Sequence, residues 1–527
     1  MSELVLKHGR IFTLNRELPQ SEAMFIRDGK IIWVGDNTAV EQFVASNTEV
    51  VSLEGITVIP GLIDAHIHLQ KYAFSLNYVD CETQHLAECL KRVEEKSQRT
   101  PPGEWILGHG WNQNSWDSYG TASQLDMITS DHPVYLTAKS LHAAWVNSRA
   151  LQAAGISAGT KDPDGGAIQR LDDNTPTGIL FEEAMMLVSG KIPIPEHAQI
   201  SSAIEQAQSK LHAYGITSVH DFDGADCFRA LQQLHSNDKL RLRVLKNIPV
   251  SHLDSALDLG LRTGFGNDLI RMGNVKLFSD GALGPRTAAM LTPYGHDEEN
   301  SGILLLDSEA IVEIGIRAAR GGLGLTVHAI GDRANHVTLD AYEEIRRFEA
   351  GASQDLLPHR VEHLQVLHPD DLDRAGSLGI IASMQPIHAT SDMDAANQYW
   401  GERTRYAYAW KTQLKHGARI YFGSDAPVES PNPFWGLHAA VTRQKRVSTA
   451  IESSWIPEEC LTFEDALTAY TSAPGLAFSP TRLGLLRAGY AADMVLLDVD
   501  PFHIPPDELA DVKPVGTIHA GKWVYRA

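Results

Sequence analysis

The segment GLIDAHIH ends in His66 and His68, two imidazoles one residue apart at the close of an apolar run. Alternate residues of a strand face the same side, so both rings can serve one site. Later apolar runs carry other groups that bind metals or move protons: Lys276 in NVKLFSDG, His328 in LTVHAIGD, His363 in RVEHLQV and Asp425 in IYFGSDAP. Neutral imidazole nitrogens with carboxylate oxygens suit Zn2+, and Fe2+ or Mn2+ less well. A divalent ion polarises a carbonyl and brings the pKa of water towards about 7, so the chemistry to expect is hydrolysis. Each residue alone has a plainer reading. A histidine at a strand end is commonly a hydrogen-bonded structural residue. Lys276 inside VKLF could pair with Asp280 or another acid, because an unpaired buried ammonium is costly. Asp425 could cap the helix-like stretch that follows SDAP. The joint pattern points to a shared centre.

Such a centre needs elements that bring distant segments to one face. Strand-like runs recur at TVIPGLIDAHIH (57–68), ITSVHDF (216–222), LRVLKNI (242–248), NVKLFSDG (274–281), LTVHAIGD (325–332), RVEHLQV (360–366), IIASMQP (380–386) and IYFGSDAP (420–427). Helical patterns such as ISSAIEQAQSKLHAYG and SEAIVEIGIRAARGG lie between them, the second ending at a C-cap glycine. This alternation predicts an α/β fold, a (β/α)8 TIM barrel over residues 56–479, with its chemistry at the C-terminal strand ends. The candidates then fall at the ends of strands one, four, five, six and eight.

The ends of the chain read differently. In AMFIRDGKIIWVGD, Asp28-Gly29 between two apolar runs predicts a hairpin. ADMVLLDVD and VGTIHAGKWVYRA have the same texture, so residues 1–55 and 480–527 are expected to build one small β-sandwich from both termini. Between the first two barrel strands, residues 70–205 hold a strand of their own, PVYLTAK, and a Gly/Asp-rich stretch, KDPDGGAIQRLDDNTPTG. A connection this long predicts an inserted subdomain, with a lid as its expected role.

Composition narrows the class of partner. The 527 residues are 43% hydrophobic and 21% charged, and 45 Lys and Arg against 66 Asp and Glu give a net charge of −21. Nucleic acids and anionic membranes attract clustered positive charge, so neither is expected, and a small molecule is. The four cysteines, Cys81, Cys89, Cys227 and Cys460, form no CxxC pair, which fits a reducing compartment. The first residues, MSELVLKHGRIFTLNREL, are broken by charges, and no run has the length of a membrane span, so a cytoplasmic location is expected.

The ordered set of two histidines after strand one, a lysine after strand four, histidines after strands five and six and an aspartate after strand eight resembles the amidohydrolase superfamily. VKLFSDGALGPRTAAML, GHGWNQNSW, LHAAWVNSRAL, PTGILFEEAM and LTVHAIGDRAN resemble, more narrowly, amidohydrolase family 3, the subgroup with N-substituted formamide deformylases. The resemblance implies a hydrolase of non-peptide C–N bonds in an amide, formamide or cyclic amide, with one or two ions. In that family the strand-four lysine is often carbamylated, which would make Lys276 an N6-carboxylysine bridging two metals. His66, His68 and Asp425 would then hold one and His328 and His363 the other, with Asp425 as proton carrier. A homodimer is also a family-level implication.

Two alternatives stand beside this reading. Deaminases of the superfamily usually carry a Glu shortly after the strand-five histidine. Here His328 is followed by AIGDRAN, with Asp332 and no Glu, which disfavours deamination of a heterocycle. A non-catalytic barrel that binds or assembles is the third reading, opposed by the full ligand set. Substrate contacts are read at Trp111, His142, Asn147, Asp280 and Arg286. Trp116, Trp145 and Tyr294 are read as an apolar wall or plain packing, and Asp64 and Asp332 as groups that could orient the histidines.

Overall fold

The structure, a computed structural model, describes residues 2–112, 116, 118–139, 143–295, 297–352, 356–446 and 453–527. Eight parallel strands follow one another in chain order: β1 (Leu62–Ile67), β2 (Ile216–Asp221), β3 (Arg243–Pro249), β4 (Ile270–Phe278), β5 (Leu325–Ala329), β6 (Arg360–His363), β7 (Ile381–Met384) and β8 (Arg419–Phe422). The segments after β8 and β1 close the ring: the Asp425 amide donates to the His66 carbonyl at 2.7 Å, and the His68 amide donates to the Ala426 carbonyl at 2.9 Å. A parallel sheet covered on both faces favours near-continuous apolar strands, and every residue of β1, β2, β6 and β7 is buried. The eight sequence runs all lie on barrel strands.

The first run holds two strands. Thr57–Pro60 pairs with Arg10–Phe12 and Met494–Leu497 in a sheet built from both termini, and only Leu62–Ile67 enters the barrel. Pro60 and Gly61 make the break. The Gly61 amide donates to the Asp493 carbonyl at 2.9 Å, and a side chain at Gly61 would collide with Thr217. Leu4, Leu6, Met24 and Ile26 of a four-stranded sheet pack against Val58, Met494, Leu496 and Ile518 of this six-stranded one, which makes the terminal region a sandwich. The hairpin at Asp28-Gly29 has both residues in the left-handed region, φ 49° and 77°, as a type I′ turn requires.

The outer helices read as amphipathic stripes. In α1 (Ser308–Arg320), Ile311, Gly315, Ala318 and Ala319 are buried, a spacing that lines one helical face. Asp307 caps α1 by accepting from the Ala310 amide at 2.9 Å. Gly315 lets α2 (Asp332–Gly351) approach through Ile345, where any β-carbon would clash. α3 (Pro386–Trp400) starts one residue after Met384, with Pro386 in its first turn.

Ala73–Gln199 forms a second compact unit. It has its own six-stranded sheet, in which Val134–Ala138 pairs with Ile106–Trp111 and Ala143–Val146, and its own core around Trp111, Trp116 and Trp145. Among the described residues no helix is long and apolar enough to cross a membrane.

Candidate metal centre

β1 brings His66 and His68 to the mouth of the barrel. The Nε2 atoms of His66 and His68 lie 3.4 and 3.6 Å from Asp425 Oδ1. One ligand atom each from His66, His363 and Asp425 falls within 4.8 Å of the others. His328 and His363 have ring centroids 4.5 Å apart, and His66 and His363 5.0 Å. The Lys276 Nζ lies 5.0 Å from the Phe222 ring centre and 4.7 Å from that of Phe278. The six residues read from the strand ends therefore share one place, although the chain separates the first from the last by more than half its length.

Hydrogen bonds behind the rings decide which nitrogen each presents. His66 Nδ1 contacts Glu362 Oε2 at 2.6 Å, His68 Nδ1 contacts Asp223 Oδ1 at 3.1 Å, and His363 Nδ1 contacts Gln385 Oε1 at 2.8 Å. In each case Nε2 is left for a ligand. His328 is reversed: its Nε2 lies 2.9 Å from the Gly281 carbonyl, which leaves Nδ1. Strict alternation would turn His363 away from Glu362. Its left-handed backbone, φ 73°, breaks the pleat and re-aims it, and Asp425, φ 59°, is likewise left-handed. Such conformations cost a non-glycine residue on the order of 1–3 kcal/mol and gather at functional sites.

The electrostatics suit a cation. Burial lowers the pKa of His66, and burial with the neighbouring His328 takes His363 well below the ordinary value. His328 falls to about 3 through burial and the charge of Lys276, so these rings are neutral at pH 7. Burial raises the Asp425 carboxyl, but His66, His388 and His68 outweigh it and hold it below its usual value. Burial brings Lys276 down to about 8. Its Nζ is buried and has no hydrogen-bond partner among the described residues, so none of their acids forms the salt bridge read as its alternative.

Glu362, Arg360, Asp223, Gln385 and His388 were not among the residues expected from sequence. Arg360 Nη2 lies 2.7 Å from Glu362 Oε1, and both side chains are fully enclosed in the barrel. Burial pushes the Glu362 carboxyl up, but Arg360 and His66 hold it down at about 2. The available signal was two charged residues in the four-residue buried strand RVEH. Asp223 also accepts from the Gln70 and Lys71 amides at 2.6 and 3.2 Å. Asp221, Asp223 and Cys227 form another compact acidic group, and the Lys246 ammonium occupies it, 2.7 Å from Asp221 Oδ2.

The weaker candidates have other partners. Asp64 accepts from the His66 and Ser424 amides and from the Ser424 hydroxyl at 2.6 Å, so it ties β1 to the turn after β8 and touches no imidazole. Asp332 accepts from the Leu291 amide at 2.8 Å. Asp280 accepts three backbone amides, from Ala289, Ile330 and Gly331, with one oxygen 3.6 Å from His328 Nε2. Arg286 pairs with Asp297 at 2.9 Å, and the Tyr294 hydroxyl donates to the Ala288 carbonyl at 2.7 Å. Trp111 is fully buried in the second unit and donates to the Leu136 carbonyl at 2.8 Å. Trp116 stacks on Trp111 and meets Trp145 edge-on in the same core, and Trp116 and Trp145 donate to the carbonyls of Thr83 and Thr121. Asn147 caps the helix Ser148–Ala153, accepts from the Val134 amide and donates to the His132 carbonyl. These contacts give Trp111 and Asn147 structural work within the second unit. His142 lies outside the described residues.

A parallel eight-stranded barrel with neutral imidazoles and a carboxylate at its C-terminal mouth defines a metal-dependent hydrolase type. The amidohydrolase family model matches residues 49–525, and the chain belongs to that family. The chain is 34% identical to Protein LONG AFTER FAR-RED 3 of Arabidopsis thaliana, over all of this chain and 92% of that one. It is 29% identical to the N-substituted formamide deformylase of Arthrobacter pascens, over 100% of this chain and 98% of the relative. Among solved structures it is similar to an uncharacterized metal-dependent hydrolase from Pyrococcus horikoshii OT3. That similarity has a TM-score of 0.80 and 30% identity, covering 96% of this chain and 99% of the other.

Proposed function

We propose that this hydrolase uses a divalent metal, Zn2+ before Fe2+ or Mn2+, to cleave a non-peptide C–N bond in an amide, formamide or cyclic amide. The observation that carries the reading is the meeting of His66, His363 and Asp425 ligand atoms within 4.8 Å, with the buried Lys276 Nζ, which has no hydrogen-bond partner among the described residues. Three neutral imidazoles and one anionic carboxylate fit a borderline-soft dication. When bound, the ion supplies Lewis acidity and makes hydroxide available near neutral pH.

The residues of the chain supply the rest. Glu362, Asp223 and Gln385 orient the rings of His66, His68 and His363. Asp425 turns Oδ1 to His66 and His68, which leaves Oδ2 to take the proton from the attacking water and pass it to the leaving nitrogen. Lys276, with a pKa of about 8, has a reactive free-amine fraction at neutral pH. Its buried Nζ fits a carbamate formed with CO2, which would convert a cation into a bridging anion and admit a second ion. The deformylase activity named for the Arthrobacter relative makes N-formyl amines the first substrates to try. The experiment is a panel of N-formyl, N-acyl and cyclic amides incubated with zinc-loaded protein, with amine release as readout. Release from the amides supports the reading, and ammonia release from heterocycles with none from amides overturns it.

A further inference from the structure

Around His363 the buried nitrogens Lys276 Nζ, Gln385 Nε2 and His388 Nε2 have no hydrogen-bond partner among the described residues. Lys276 has the carbamate to account for it. The other two belong to one short piece of chain. β7 ends at Met384, Gln385 holds the N-cap position of α3 without a side-chain capping bond, and Pro386 opens the helix, which places this first turn at the barrel mouth. His388 follows Gln385 by three residues, so the two share a helix face. Gln385 reaches His363 through Oε1 at 2.8 Å, which commits its carbonyl oxygen and leaves its amide nitrogen unused. The His388 ring lies parallel to that of His363, 6.1 Å between centroids and 8° between planes. His388 is 93% buried, since its exposure is 7%.

Buried donors are rarely left unsatisfied, because a lost partner costs about 1–3 kcal/mol. Two donors on one face beside the centre therefore await an acceptor that arrives with the reaction. His363, whose ring His388 faces, has its own ring 5.0 Å from that of His66, and His66 Nε2 lies 3.4 Å from Asp425 Oδ1. A packing role alone leaves the His388 Nε2 atom unexplained.

We propose that His388 is a catalytic residue whose Nε2–H donates to the substrate carbonyl oxygen as negative charge gathers there, with Gln385 Nε2 as a second donor one turn earlier. The inference rests on the C–N hydrolase reading for its substrate. It assigns the oxygen of the scissile group to the strand-seven side of the mouth and the leaving nitrogen to the side of Asp425. A donor aimed at a developing oxyanion acts mainly in the transition state, so its loss should reach kcat more than KM.

The test compares wild type, His388→Ala and His388→Gln as zinc-loaded full-length proteins. The readouts are kcat and KM on the N-formyl amine that wild type cleaves fastest, bound zinc, and affinity for acetohydroxamate, a carbonyl-bearing probe that needs no turnover. His388→Ala should lower kcat by about 100-fold or more, with KM changed less than about threefold. It should weaken acetohydroxamate by about tenfold with zinc content unchanged, and His388→Gln, which keeps a donor, should recover most of both losses. Normal kcat and acetohydroxamate affinity in His388→Ala would overturn the proposal. So would losses that track lost zinc and are not recovered by glutamine. If wild type cleaves no amide, the hydrolase reading fails on its own, and the acetohydroxamate ratio alone then upholds or overturns the His388 contact.

Discussion

Glu362 Oε2 lies 2.6 Å from His66 Nδ1, and the other oxygen of the same carboxylate faces Arg360 at 2.7 Å. The imidazole is therefore anchored to a buried ion pair, and the Phe222 ring stacks on it at 4.0 Å between centroids. His66 has one orientation open to it. Glu362→Gln should lower zinc affinity about 10–100-fold, as measured by competition with a chromophoric chelator. Glu362→Ala should also destabilise the fold by about 3–5 kcal/mol in urea, because Arg360 is left buried and unpaired. An affinity unchanged in Glu362→Gln would dismiss the anchoring role.

Asp425→Asn keeps the shape of the side chain and removes its ability to take a proton. Turnover of the best amide should fall about 10²–10⁴-fold, while elemental analysis still finds most of the metal. A variant that turns over normally would remove Asp425 from proton transfer.

Lys276 can be weighed directly. Intact-protein mass spectrometry from neutral buffer should show the added mass of one CO2, lost on acidification and absent in Lys276→Met. Metal analysis of the same samples should give two ions per chain for wild type and fewer for the variant. An unmodified lysine with a single ion would refute the bridged centre.

Removing metal should abolish hydrolysis reversibly and lower the thermal midpoint. Metal held at 100 times its Kd stabilises the native state by about 2.7 kcal/mol. Dialysis against a chelator followed by zinc checks both parts. Activity that survives full removal would rule out metal-dependent chemistry.

The sandwich and the barrel meet at a pH-sensitive cluster. Burial lowers the His519 pKa to about 3, against an ordinary value near 6.5. The native state therefore binds fewer protons than the unfolded chain between these values. Stability is full above about 6.5 and declines as pH falls, by about 2 kcal/mol at pH 5 from this group. Burial lowers His212 too, in the same direction. Asp493 is held low by Arg243 against burial, and it gives up its share only below its unfolded value. Urea midpoints at pH 8 and pH 5 should show the fall, and His519→Gln should flatten it. An equal slope in the variant would exclude His519 as a source.

The sequence made the barrel legible because a sheet buried on both faces needs runs of apolar residues, which stand out between helical patterns. It made the candidate ligand set legible because the fold returns each strand end to one mouth. The split at Pro60-Gly61 was hidden: Thr57–Pro60 and Leu62–Ile67 are both buried throughout, and only their partners differ. Glu362 and Asp223 were hidden for another reason. Their partners His66 and His68 are 296 and 155 residues away, and an acid reads as ordinary surface until its imidazole is known. His388 carried no strand signal, because it lies in a helix that begins beyond β7.

The stitch from the Asp425 amide to the His66 carbonyl joins the first barrel strand to the turn after the last. Its consequence is temporal. During synthesis His66 emerges early and waits through every later strand for its neighbour, so the growing chain is chemically silent until the ring shuts. In the proposed centre, activity would report completion: a barrel open at that seam keeps its histidines but has not brought the Asp425 carboxylate to them.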